Sequence, residues 1–302
     1  MINKIPTLKP DTFKKLLMAD IDHFQLDKPN FNDFYIHDLS KDAYKLKLPL
    51  PPHRKTVNDF ILITEGTMTK SAGIDTYEVA KNAVFLLPAG QITATTKISE
   101  NLRGFYCHFS NEFIAESKSQ TNLLNKFPFL EWLNNPVLTF SSNDCLILIS
   151  LLRRIENIYT LNQNYELIRS YLLTFLTEIK TLQKTGKSIS LTATEKIAFE
   201  FKHILTKYIM KHHEAVFYAK QLNVSPNHLN RCIKETFEKS TTQLIAEMLI
   251  LEAKVLLHQP STSISEISFS IGFEDPSYFG RFFKKQTGQT PTEFRTIIDL
   301  SE

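Results

Sequence analysis

The chain has 302 residues, of which 42% are hydrophobic, so it is long enough for two domains that each bury a core. Its formal net charge of +3 is too small to indicate a polyanionic partner by itself. The absence of a long apolar run or a signal peptide predicts a cytoplasmic protein. Cys107, Cys145 and Cys232 are an odd number in apolar surroundings, which favours buried, reduced thiols over disulfides.

Short strands are predicted between about Ile36 and Phe113. Three apolar runs, at residues 60–64, 83–87 and 104–109, are rich in β-branched and aromatic residues, and each ends at a turn signal. Runs of this length and spacing are typical of a small antiparallel barrel or sandwich. We therefore predict a β-rich first domain over residues 1–140.

Two amphipathic helices are predicted next, in a helical segment over residues 141–182. Apolar residues step by three and four through 148–158 and again through 165–182. Two interpretations of these seams are open: they pack on each other and on the barrel, or they form the interface of a homodimer. The polar residues 183–194 then indicate a linker.

The remaining residues, 195–302, contain an internal repeat. Ser225 to Lys234 aligns with Asp275 to Lys284, and each copy begins with an N-cap residue followed by proline. One face of each predicted helix is apolar and the other is polar and basic, and a short helix and a tight turn precede both. This is the helix-turn-helix pattern, found twice. A long helix from Thr241 to His258 would separate the copies enough to reach adjacent major grooves.

Three stretches carry a resemblance to a known family, at residues 216–237, 249–257 and 263–295. They resemble the DNA-binding domain of AraC-type (arabinose-regulator) transcription factors. The resemblance implies a sequence-specific DNA-binding transcription regulator whose partners are double-stranded DNA and RNA polymerase. It also implies that the regulator is an activator. The sequence departs from the family at Glu238, where glycine is usual, and at residues 248–250, where an arginine is common.

The resemblance also implies which side chains meet DNA. Those that would face base edges are Asn227, Asn230 and Arg231 in the first copy and Ser277, Tyr278 and Arg281 in the second. Arginine can donate twice to guanine and asparagine twice to adenine, which suits this role. Lys234, Lys284 and Lys285 are the candidates for phosphate contacts. Phe294 and Arg295 are expected to brace the last helix instead.

The N-terminal part resembles a cupin-like sensory domain at residues 51–66 and 82–93. Thr93 stands where family members that keep this barrel have histidine, and only His53, His108 and Glu65 could supply ligands, so we expect no metal or other cofactor. The barrel could hold a small-molecule effector. The candidate pocket residues are His53, Tyr77, Phe85, Phe105 and Tyr106, with ordinary core packing as the alternative for the aromatic ones.

These observations together predict an α+β multidomain protein. A cupin-like antiparallel β-barrel with flanking helices would precede an all-α domain in which a long helix joins two helix-turn-helix motifs. Two alternatives remain open: a cupin-type metalloenzyme or ligand-binding protein with a helical accessory domain, and a protein whose DNA-binding domain has decayed, since acidic and basic residues balance over residues 190–302. We expect no enzyme, because no catalytic constellation or glycine-rich phosphate loop is recognisable.

Overall fold

The computed structural model describes residues 7–17, 30–41, 48–115, 127–130, 135–161, 163–185, 192–258 and 262–299. The chain divides into two compact units, Thr7–Ile189 and Ser190–Glu302. The first unit contains antiparallel sheets and helices, and the described part of the second is helical. Of the predicted linker, residues 186–191 lie outside the described residues.

The first unit contains two antiparallel sheets. Its strands are β1 (Phe34–Asp38), β2 (Leu50–His53), β3 (Asn58–Glu65), β4 (Met68–Ala72), β5 (Asp75–Val79), β6 (Ala83–Leu87), β7 (Thr93–Ile98), β8 (Arg103–Phe109) and β9 (Val137–Thr139). One sheet has the strand order β1-β8-β3-β6-β9, and the other has the order β2-β7-β4-β5. The three apolar runs predicted as strands are β3, β6 and β8, which are neighbours in the five-stranded sheet. The prediction of antiparallel strands is therefore confirmed.

The five-stranded sheet is buried on both faces because alternate residues of its strands serve different cores. Phe60 and Leu62 of β3 belong to a core formed with helices, where the Phe60 ring stacks on Phe175 at 4.7 Å between centroids. Ile61 and Ile63 belong to a second core, shared with β4 and β5 of the other sheet. A strand buried on both sides must be apolar throughout, which explains the continuous run at residues 60–63.

Four helices accompany the sheets: α1 (Pro10–Leu17), α2 (Asn111–Ile114), α3 (Ser142–Leu161) and α4 (Tyr165–Thr185). The apolar seams of α3 and α4 are buried against each other and against the five-stranded sheet; Leu148 and Ile155 of α3 and Leu172 and Phe175 of α4 are inaccessible to solvent. The seams are thus used within the chain, as the first interpretation expects. A homodimer would have to use another surface.

The second unit consists of α5 (Ala193–Tyr208), α6 (Ala215–Gln221), α7 (Pro226–Phe237), α8 (Thr241–Leu257), α9 (Ile264–Ser270), α10 (Pro276–Thr287) and α11 (Pro291–Asp299). The predicted long helix is α8, whose 17 residues give a length of about 26 Å at about 1.5 Å per residue. Met248, Leu249 and Ile250 are all buried. The stretch that departs from the family pattern therefore belongs to the core of this unit.

The remaining general expectations concern membranes and thiols. None of the helices in the described ranges is both long and apolar enough to cross a membrane. Cys107, Cys145 and Cys232 are free and buried, as predicted from their apolar surroundings.

Candidate nucleic-acid interface and ligand cavity

Helices α7 and α10 begin in the same way. Ser225 caps α7, where its hydroxyl accepts a hydrogen bond from the backbone N of His228 at 3.2 Å. Asp275 caps α10, where its carboxylate accepts from the backbone N of Ser277 at 2.8 Å and of Tyr278 at 3.1 Å. Proline follows each cap at the start of the helix. The caps predicted from the repeat are confirmed.

The turns before and after these helices use left-handed backbone conformations. Before α10, Gly272 has φ +88°, and a Cβ there would lie 2.8 Å from the carbonyl oxygen of Met210, so the position requires glycine. Asn223 takes the corresponding place before α7 with φ 54°, a conformation that asparagine tolerates better than most residues. After the helices, Glu238 and Gly288 share a left-handed C-terminal position with φ 57° and 82°.

Aromatic and apolar side chains hold the two helices in place. Leu229 and Ile233 of α7 and Phe279 and Phe283 of α10 are fully buried. Phe283 packs against Phe294 of α11 at 5.7 Å between ring centroids. The predicted apolar faces are therefore the buried ones, and the polar faces are left to solvent.

The predicted DNA-contacting residues lie mostly on those polar faces. Arg231 and Arg281 are 66% and 70% exposed, and Tyr278 is 57% exposed. The others that are exposed are Asn227, Ser277, Lys234, Lys284 and Lys285. Arg281 lies 3.9 Å from Asp275, a surface ion pair of the kind that contributes little to stability. Arg231 has its Nη2 2.9 Å from the Nδ1 of His228 and its Nε 4.0 Å from Glu235, so both arginines have only surface partners that a duplex could replace.

Asn230 differs from the other predicted base contacts because it is half-buried. Its side-chain oxygen accepts from the backbone N of Thr241 at 3.1 Å and from the Thr241 hydroxyl at 3.3 Å. Thr241 is the first residue of α8, so Asn230 ties α7 to the long helix. No sequence motif indicated this second role, and the contact of Asn230 with a base stays a prediction.

Phe294 and Arg295 brace the end of the unit, as predicted. The Nε of Arg295 donates to the carbonyl oxygen of Leu257 at 3.3 Å, at the last residue of α8. The Phe294 ring contacts His258 at 6.2 Å and Phe283 at 5.7 Å between centroids. These contacts join α11 to the C-terminal end of α8 and to α10.

A contact that no motif predicted joins the two helix pairs, α6 with α7 and α9 with α10. His213, just before α6, has its Nε2 2.9 Å from the carbonyl oxygen of Ile271 at the end of α9. Its ring lies 5.2 Å from Phe273 in the turn that follows. Burial lowers the pKa of His213, which favours a neutral ring whose Nε2–H donates to the carbonyl. The first pair is thereby attached to the turn of the second.

The first unit contains a cavity of about 860 Å³, including its opening to solvent. Of the five predicted pocket residues, His53 and Tyr106 line it. The other three are corrected to core positions: Phe85 lies in the core between the sheets and Phe105 in the core beneath the helices, and both are buried. Tyr77 packs against Phe85 at 6.2 Å between ring centroids. Core packing was the alternative for all three.

Lys14, Lys55 and Lys70 line the cavity, and all three are buried. Lys55 lines the cavity and forms an ion pair with Asp59, and both are buried. Lys70 also lines the cavity, is 5% exposed, and its Nζ donates to the Thr95 hydroxyl at 3.3 Å. Burial lowers the pKa of Lys70 to about 8, with Asp59 opposing the shift and Lys55 adding to it.

A hydrogen-bonded chain continues from Lys55 along the cavity wall. Its Nζ donates to the Tyr106 hydroxyl at 3.1 Å, and that hydroxyl lies 3.3 Å from the Nδ1 of His108. The Nε2 of His108 is 2.7 Å from the carbonyl oxygen of Phe31. Burial lowers the pKa of His108 to about 4, so the ring is neutral, accepting at Nδ1 and donating at Nε2. His108 is therefore a hydrogen-bonded core residue.

The three residues considered as metal ligands serve other purposes. His53 lies against Phe13 with 4.5 Å between ring centroids, and Glu65 pairs with Arg103 at 3.3 Å near the protein surface. Within the described part of the chain, no group of three histidine, cysteine, aspartate or glutamate residues is placed to hold a metal ion.

Known proteins are similar to this chain in its second unit and, for some of them, over most of its length. A family model described as a helix-turn-helix domain matches residues 218–297. The lactose operon transcription activator of Staphylococcus xylosus is 26% identical over 245 residues, which are 80% of this chain and 84% of that protein. The arabinose operon regulatory protein of Escherichia coli is 34% identical over 77 residues, 26% of either chain. The ToxT structure from Vibrio cholerae O395 covers 87% of this chain and 96% of its own at 16% identity, with a TM-score of 0.41.

The matched domain and its relatives define the class: the protein is a DNA-binding transcription regulator. More particularly, its second unit is similar to the DNA-binding domain of AraC-type regulators. The named relatives are regulators of operons, which supports this class over the metalloenzyme alternative. Other matches cover only part of a relative, such as 29% of the Msm operon regulatory protein of Streptococcus mutans.

Proposed function

We propose that the protein activates transcription by placing α7 and α10 in two adjacent major grooves of its operator. The observation that carries this proposal is the matched construction of the two helices, each capped, started by proline and left with an exposed arginine. Each helix with the short helix before it then forms a helix-turn-helix motif. The length of α8, about 26 Å, is compatible with grooves about 34 Å apart.

Within this proposal the exposed side chains divide into two groups. Arg231, Tyr278 and Arg281 lie toward the N-terminal and middle turns of their helices and would meet base edges, together with Asn227, Asn230 and Ser277. Lys234, Lys284 and Lys285 lie in the last turns and would meet phosphates. Lysine at these places fixes the register of a helix on the duplex without reading its sequence.

The first unit would control this DNA binding through a small-molecule effector in its cavity. The two antiparallel sheets with a shared core support a cupin-like barrel as the form of this unit. A homodimer would require a surface other than the buried seams, and Leu146 and Ile147 on α3 are 65% and 46% exposed. Binding of RNA polymerase follows from the activator role, which the names of the lactose and AggR activators support.

The test is selection of random duplex DNA by the purified full-length protein, repeated with Arg281→Ala and Lys284→Ala. We expect a motif with two blocks about one helical turn apart. Arg281→Ala should cost about 1–3 kcal/mol at one base position and relax the preference there. Lys284→Ala should weaken all sequences alike and reduce the dependence of affinity on salt.

If both variants lost the same affinity for every DNA sequence, the assigned division between base contacts and phosphate contacts would be contradicted. Failure of the folded protein to enrich any sequence, with and without the cavity ligand tested below, would contradict the proposed function itself and favour a decayed DNA-binding domain. The activator role is then checked with a reporter gene placed behind the selected operator. Higher expression in the presence of the protein is the expected result.

A further inference from the structure

The cavity in the first unit is lined by buried lysines, and one of them, Lys70, has no carboxylate partner among the described residues. Lys55 is paired with Asp59, and both are buried. Lys70 is equally buried but, within the part of the chain that the structure describes, it forms no ion pair; its Nζ donates to the hydroxyl of Thr95 and lies 5.8 Å from the centre of the Phe85 ring. A buried ammonium group without a counter-ion is costly, and such groups concentrate where they are used.

The wall around this charge is mainly apolar. Phe13 and Phe31 line the cavity on the side of α1 and β1, and Leu50, Ile61 and Met68 line it from the strands. Several of the polar groups that line the cavity are already engaged: Tyr106 is bonded to His108, and His108 is bonded to the main chain of Phe31. A neutral sugar, with hydroxyls all around, would leave many of its polar groups without partners in such a wall.

We propose that this cavity binds a small organic acid that has a single negative charge and an apolar body, with the carboxylate against Lys70 and Thr95 and the body against the aromatic and aliphatic wall. The inference rests on the proposed function in that this acid would be the effector. One carboxylate would give the Lys70 ammonium group a counter-ion, whereas a phosphate ester would add a second negative charge beside Asp59. A charge-assisted bond from a desolvated lysine also supplies affinity that a neutral ligand cannot obtain.

The experiment measures binding to the full-length protein by isothermal titration calorimetry, without DNA. The probes are butanoate, octanoate and 3-phenylpropanoate, each compared with its neutral amide, and octylamine as a cation of similar shape. We expect at least one of the acids to bind and its amide to bind about ten- to a hundredfold more weakly, the usual effect of losing a charged hydrogen bond. Octylamine should not bind.

Two variants identify the group responsible. Lys70→Met removes the charge and shortens the side chain by one heavy atom, so it should abolish the preference of the cavity for acid over amide. Lys97→Met removes an exposed lysine from the same sheet and should leave the preference unchanged. Thermal unfolding of each variant shows whether the protein is folded, so that a loss of binding is assigned to the charge.

Three results would overturn the proposal: equal binding of acid and amide, an unchanged preference in Lys70→Met, or no binding of any of the acids at up to about 10 mM. Preferential binding of glucose or of glucose 6-phosphate would overturn it in favour of a sugar or a phosphate ester. Because calorimetry is done without DNA, acid binding by a protein that selects no operator would refute the proposed function and leave the ligand class intact. Operator selection without acid binding would refute the ligand class and leave the proposed function intact.

Discussion

Replacing Lys70 by methionine should stabilise the protein at neutral pH, although most substitutions of buried residues destabilise. Methionine has a similar length and no charge, so it can occupy the same space between the sheets. The substitution removes an ammonium group that is 5% exposed and bonded to the hydroxyl of Thr95 at 3.3 Å. Asp59 keeps its ion pair with Lys55, so no unpaired carboxylate is created.

The size of the effect follows from the pKa of Lys70. Burial lowers this pKa from 10.5 to about 8, and at about 1.4 kcal/mol per pKa unit this corresponds to about 3 kcal/mol of lost stability when the lysine is charged. Because the folded pKa is the lower one, unfolding takes up a proton between pH 8 and pH 10.5, and the stability of the wild type rises across that window. Below pH 8 the full penalty is present.

The variant should therefore exceed the wild type by about 3 kcal/mol in free energy of unfolding at pH 7 and by about 1 kcal/mol at pH 9.5. The neighbouring groups do not change this expectation. Burial lowers the pKa of His108 to about 4 and raises that of Tyr106 well above 10. Neither of them titrates between the two pH values.

The assay is urea unfolding of the full-length protein at pH 7 and pH 9.5, followed by the fluorescence of its single tryptophan, Trp132. Lys97→Met, at an exposed position of β7, is the matched control and should change stability little at either pH. A Lys70→Met protein that is less stable than the wild type at pH 7 would refute the reasoning. An advantage that is the same at both pH values would show that packing, not charge, is responsible.

Two further predictions concern backbone positions in the second unit. Glu238 and Gly288 occupy equivalent left-handed positions, so Glu238→Gly should raise the free energy of unfolding by up to about 1 kcal/mol and Gly288→Glu should lower it by about 1–2 kcal/mol. Thermal unfolding followed by circular dichroism measures both, and changes of the same sign would contradict the argument. Gly272→Ala would bring a Cβ within 2.8 Å of the Met210 carbonyl oxygen and should cost more than about 1 kcal/mol and weaken operator binding. Unchanged unfolding and DNA titration curves would show that the turn can relax.

Helices α7 and α10 could be predicted from the sequence because the signals that define them are local. A cap, a proline and an apolar face at helical spacing lie within about a dozen residues of each other in both copies, and the structure places α7 and α10 there. The strands β3, β6 and β8 were predictable for the same reason. Glu238 was recognised as a departure from the family, but only the backbone shows that it keeps the left-handed conformation of the glycine it replaces.

The cavity was harder to predict because its residues come from separate strands. Part of the error in assigning its lining residues, the inclusion of Phe105, was avoidable. Phe105 and Tyr106 are consecutive residues of β8, so they point to opposite faces of the sheet and cannot line one pocket. The same alternation places Lys70 on the buried face of β4 with Met68 and Ala72. A lysine between two apolar residues at that spacing was the available signal for a buried charge.

Contacts near both ends of α8 bear on how the second unit would read DNA. Asn230 joins α7 to the first residue of α8, and Arg295 joins α11 to its last residue, Leu257. His213 adds a link between the two helix pairs at Ile271. Each is a hydrogen bond to a main-chain atom, so it depends on the path of the backbone and not on the rotamer of the partner residue. These hydrogen bonds resist independent motion of α7 and α10. Two helices that cannot move independently can both reach base edges only on a duplex whose two blocks of recognised base pairs have one fixed separation.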